Sequence, residues 1–344
     1  GSWTLSSGSI NAGSSNVIFS MGAGWTITGT QTLNNVTFRT SSGQQSCDIA
    51  SGTTITVLGD LTIDGSSDSN DGLYGPGGVS VKGNLVAIGG GFRNGTSEPG
   101  DVIITMNGEG PQEIIGEADE DTGIPGITID KPSGTLTLTD SVVVGGNWTY
   151  IKGMVDPGTS TIIFTSKISN ISGSMNFNNL SFYTESGLGS TTIGSGTILN
   201  IIGDLIIDGT TDNNDSIAGP GALNIQGDVS VINSTYFQDV PITFSGSKDQ
   251  TLTSDDVSLT DGTVTVNKSA GTVTLGSDIG LLGSGQDLVI SSGVVNVGSR
   301  TFLVFDTLNL SGQLNATSGP VGIVGVATIG HRVQVVLLHC LVEL

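Results

Sequence analysis

Two loops carry the residue types and spacing that could do chemistry. Asp64, Asp68, Asn70 and Asp71 lie within eight positions of one another, and Asp208, Asp212, Asn214 and Asp215 repeat the arrangement 144 residues on. Clustered carboxylate and amide oxygens on a Gly-rich turn can surround a hard cation, and Ca²⁺ takes six to eight such oxygens. The spacing is not that of an EF-hand, because no Glu stands at the twelfth position. The competing reading is a solvated turn in which Asp and Asn bond their own backbone. A second acidic cluster, Glu117, Asp119, Glu120 and Asp121, has no clear counterpart in the later copy.

Other chemistry is thinner. Paired carboxylates hydrolyse glycosides, but such sites usually gather Arg, Lys or His on the same face. Here Lys and Arg number ten, and both histidines, His331 and His339, sit in the last fourteen residues. No catalytic signature emerges, and no Cys/His metal spacing exists. Asn35, Asn94, Asn147 and Asn179 open Asn-x-Ser/Thr sequons and are candidates for glycosylation. Thr-x-Thr runs would make an ice-binding face if they stacked in register. Their spacing along the chain is irregular, so strand propensity is the reading preferred here. Trp3 and Trp148 occupy the same repeat position and read as packing residues, with a sugar platform as the alternative.

The elements that position these residues are copied with them. Gly59–Gly78, GDLTIDGSSDSNDGLYGPGG, recurs as Gly203–Ala222, GDLIIDGTTDNNDSIAGPGA. Residues 1–19 align with 146–164, placing Trp3 over Trp148 and Phe19 over Phe164. GITIDKPSGTLTL (126–138) answers GTVTVNKSAGTVTL (262–275), with Lys131 over Lys268. A third copy starts near Gly285 and fades after Phe305. The expected division is therefore two units, 1–145 and 146–283, a partial third over 284–330, and an atypical tail, 331–344.

Within each unit the runs are short and β-branched and alternate with period two, as at Thr53–Leu58 and Thr263–Val266. Gly, Asn, Asp and Ser clusters bound them. GDLTIDG at Gly59 is followed 24 residues later by GNLVAIG at Gly83, and GDLIIDG at Gly203 by GDVSVIN at Gly227. That spacing is about one solenoid coil. The predicted class is all-β, a parallel β-helix or β-solenoid built from tandem units of about 140 residues. Tandem β-sandwich domains are the alternative, since such a unit is also domain-sized.

Composition narrows the partners. A formal net charge of −21, from 31 acidic and 10 basic residues, disfavours nucleic acid and anionic membrane surfaces, which both need Lys and Arg. No apolar stretch is long enough to span a bilayer. Hydrophobic residues at 36% and charged residues at 12% argue for a folded chain. Cys47 and Cys340 would lie many coils apart and are not expected to pair. Residues 1–20 show no secretory signal, but Gly1-Ser2 reads as the scar of a trimmed start, so destination is not legible there.

Phrases such as SGSMNFNNLSFYTESG (172–187) and GITIDKPSGTLTLTDSVVVGGNWTY (126–150) resemble bacterial and archaeal cell-surface β-strand-repeat proteins, which are adhesin-like or haemagglutinin-like β-solenoids. The likeness runs over about residues 1–330 and rests on rhythm rather than a fingerprint. It implies an extracellular, elongated, non-enzymatic protein that adheres, coats or forms filaments. Its partners would be further copies, neighbouring surface proteins or glycans, with Ca²⁺ as a candidate stiffening ion. A carbohydrate-binding or polysaccharide-cleaving β-helix is the second reading.

Overall fold

The computed structural model describes residues 1–330 apart from 23, 41–45, 66–71, 90–101, 118–122, 166–167, 184–189, 210–215, 233–235, 239, 256–258, 260 and 284. Every regular element among the described residues is a strand, and every described strand pairing is parallel. A β-sandwich would pair its neighbours antiparallel, so the fold is the parallel β-solenoid. No helix among the described residues is long and apolar enough to cross a membrane.

One coil shows the construction. Ser46–Ile49, Thr54–Val57 and Leu61–Asp64 form three short strands with bends between them. The next coil supplies Gly72–Tyr74, Gly78–Val81 and Leu85–Ile88. Cys47 then pairs with Leu73, Ile55 with Val79 and Leu61 with Leu85. Alternation does the sorting: Ile55 and Val57 are buried while Thr54 and Thr56 face outward. Stacked aliphatic side chains from successive coils fill the interior, as with Ile55, Val79, Ile104 and Ile127. Each such burial contributes about 1.5–3 kcal/mol, and only the neighbouring coils supply the contacts.

Contacts divide the chain into two compact units, Gly1–Gly173 and Ser174–Leu344. In the first, Phe19 stacks on Phe38 with ring centres 5.3 Å apart. Trp3 stands edge-on to Phe19 at 5.5 Å and donates through Nε1 to Gln31 Oε1 at 2.5 Å. Trp148 meets Phe164 in the same edge-on manner at 6.1 Å, and its side chain is fully buried. The aligned Trp and Phe of the repeat are thus packing partners. In the second unit the coils continue to Val321–Ile323 and Ala327–Ile329, around which Val324 and Val326 are about two-thirds exposed, at 63% and 66%. The tail from 331 lies outside the described residues, and Cys340 with it.

Candidate functional site

The duplicated GDL phrase proves to be a corner. Asn35 Oδ1 accepts from the Asp60 backbone N–H at 3.0 Å, and Asp60 Oδ1 accepts from Asn84 N–H at 2.8 Å. Asn84 Oδ1 accepts in turn from Glu113 N–H at 2.9 Å. The second unit repeats the ladder through Asn179, Asp204, Asp228 and Thr251, at 2.9, 2.8 and 2.7 Å. Each side chain satisfies a backbone donor of the next coil that the strand ladder leaves open at the bend. The glycine before each of the corner residues Asp60, Asn84, Asp204 and Asp228 is required by close approach. A Cβ on Gly83 would meet Gly59 O at 2.3 Å, and one on Gly227 would meet Gly203 O at 2.2 Å.

The acidic loops leave from the far ends of these strands. Asp64 ends Leu61–Asp64, and its Oδ2 accepts from Arg39 Nε at 2.6 Å. Asp208 ends Leu205–Asp208, where Tyr183 stands in the register position that Arg39 has in the first copy. The two copies therefore differ at the one loop carboxylate described in both. Asp68, Asn70, Asp71, Asp212, Asn214 and Asp215 lie outside the described residues, as do Asp119, Glu120 and Asp121. Among the described residues, no three His, Cys, Asp or Glu side chains gather as a metal would need.

The sequon asparagines are placed unequally. Asn35 is half-buried and engaged at both ends, because its Nδ2 also donates to Asn16 Oδ1 at 2.7 Å. A glycan on that nitrogen would replace one of its two hydrogens and crowd the contact with Asn16. Asn179 holds the matching corner of the second unit. Asn147 is exposed, and its Oδ1 accepts from Asn170 N–H at 2.8 Å. Asn94 lies outside the described residues.

The most distinctive polar cluster was only half legible. Lys131 and Lys268 are buried, at 1% and 2% exposure. Lys131 Nζ donates to Gly108 O, Gly110 O and Gln112 Oε1 at 3.0, 2.9 and 2.9 Å. Gln112 Nε2 donates onward to Val81 O at 3.1 Å and to Gly83 O. Lys268 reproduces this with Ser245 O at 3.2 Å and Gln250 Oε1, and Gln250 Nε2 donates to Ile225 O and Gly227 O. On the other side, Gly153 and Gly293 cover the lysine stems: a Cβ there would meet the lysine Cβ at 2.7 and 2.8 Å. A polar tie thus runs through successive coils in each unit. Desolvation pulls both lysines below the ordinary lysine range, and Asp249 partly opposes this at Lys268. The aligned lysines were visible in the sequence. The glutamines were not, because no local pattern marks a residue nineteen or eighteen positions upstream as the partner.

Cys47 is a free, buried thiol pushed up to about 12 by burial, with a smaller push from Asp48. A thiol so raised is unreactive.

The Thr-x-Thr runs are the other surprise. Their irregular spacing is absorbed by the bends, and the hydroxyls stack in register. Thr32, Thr56, Ser80, Thr105, Thr128, Thr149 and Ser172 form one continuous column in the first unit. Asn176, Asn200 and Asn224 take the equivalent strands of the second unit, with side-chain bonds of 3.2 and 3.0 Å between coils.

No family model, curated protein or solved structure matches the chain.

Proposed function

We propose that this chain is a non-enzymatic structural protein of the cell exterior, an adhesin stalk or a subunit of a surface filament or coat. The observation that carries the reading is the parallel stacking itself: within each unit, successive coils are tied by strand pairing and by repeated corner and lysine contacts, which suits a stiff structural element. Val324 and Val326 are about two-thirds exposed and offer apolar area to a further copy. The partners in this reading are further copies or neighbouring surface proteins. Ca²⁺ in the acidic loops would stiffen the assembly, and the net charge of −21 holds the sides of the stacks apart. The resemblance to adhesin-like surface repeats supports the same reading.

Electron microscopy and light scattering over a concentration series test it. End-to-end or lateral assemblies should grow with concentration and diminish in a Val324→Lys, Val326→Lys variant. Monodisperse single particles at high concentration would sink the filament reading.

A further inference from the structure

The hydroxyl column of the first unit has properties that strand propensity alone does not require. Its seven members are Thr or Ser without exception, although they lie 21 to 25 residues apart in the chain. None carries charge, in a chain of 31 acidic residues. The column two positions earlier on the same strands, Thr54, Gly78, Ile103 and Gly126, is uncharged as well. Charges begin only at the border, with Lys82 and Asp130. Ser80 Oγ bonds Asn107 Oδ1 at 2.9 Å, and Ser172 Oγ bonds Thr149 Oγ1 at 3.3 Å. The hydroxyls of Thr32, Thr56, Thr105 and Thr128 make no hydrogen bond to any described group, and these side chains are exposed or half-exposed.

We infer that this column is an adsorption face for ordered solid water. Parallel strands set the hydroxyls at a repeat of about 4.7–4.9 Å, close to a spacing between water molecules in ice. Each hydroxyl both donates and accepts, as a lattice water must. Threonine is stiff at χ1, so the array is ordered before anything binds, and little entropy is lost on contact. The threonine methyls and Ile103 dehydrate the strip, while charges, which orient water radially and oppose a lattice, stay off it. A neutral glycan is the nearest competitor, since it too presents periodic hydroxyls. The column has no aromatic ring on which a pyranose would stack, which favours ice. The inference does not depend on self-association, because the column lies along the side of the stack.

Ice-affinity partition and microscopy of single ice crystals test this on the full chain. Wild-type protein should enrich in the growing ice and open a gap between melting and freezing. A Thr56→Lys, Thr105→Lys variant should lose both effects, down to the level of serum albumin. A Thr56→Val, Thr105→Val variant keeps shape and fold and should weaken them. Thr62→Lys, on the next strand round the coil and outside the column, should retain both, and circular dichroism melting confirms folding of each variant. Wild-type protein that stays in the liquid and opens no gap overturns the inference. So does full activity in the lysine double variant, or equal loss in Thr62→Lys. Binding to microcrystalline cellulose with no effect on ice overturns it too, in favour of a neutral glycan.

Discussion

Replacing Lys131 by Met is the sharpest perturbation of the polar tie. Methionine keeps the apolar stem that packs under Gly153 and removes only the amine. Gly108 O and Gly110 O then lose their described side-chain donor, while Gln112 Oε1 keeps the Gly108 N–H at 2.9 Å. An orphaned buried acceptor costs about 1–3 kcal/mol. Relief of the amine's desolvation offsets part of that. The net loss should be about 3 kcal/mol, confined to the coils that the tie connects. Repeat stacks open locally, so amide hydrogen exchange is the fitting assay. About 3 kcal/mol corresponds to roughly a hundredfold faster exchange, since 1.4 kcal/mol is tenfold. The acceleration should appear over 103–139 and leave 264–296 unchanged, with Lys268→Met giving the converse. A change of less than about twofold at 103–139, or equal acceleration in both segments, would refute the claim that the tie holds its own coils together.

The same lysines set a pH dependence. Their folded-state values lie below the unfolded one, so between the two the unfolded chain binds more protons and stability rises with pH. Urea midpoints should climb as pH rises toward the ordinary lysine range, about 10.4, and a Lys131→Met, Lys268→Met variant should flatten the climb. Gly83→Ala drives a Cβ into Gly59 O and should cost about 1–3 kcal/mol. Gly110→Ala meets open space and should cost far less, with thermal melts reading both. If the acidic loops hold Ca²⁺, calorimetric melting should move upward in calcium relative to EDTA. Conversion of Asp68, Asp71, Asp212 and Asp215 to Asn should abolish the difference, and an absent shift in the wild type removes calcium from the proposed function.

What the sequence determined by itself was local. Period-two alternation and β-branched residues specify strands, since the pleat sends neighbouring side chains to opposite faces. The GDL phrase and its echo 24 residues on mark the same corner in successive coils, because a Cβ on Gly83 or Gly227 would meet the carbonyl of the coil beneath. The repeat sets Trp3 over Trp148 and Phe19 over Phe164, and each Trp packs edge-on to its Phe. What the tertiary structure decided was register. Bends of unequal length absorb the irregular spacing of the threonines, so the column from Thr32 to Ser172 exists only once the coils are stacked. Gln112 finds Lys131 for the same reason: nineteen residues of chain return it to the coil directly above. A chain reports which residues face in or out. Which residues stand over one another depends on how much chain each bend consumes, and the packing of the coils sets that amount.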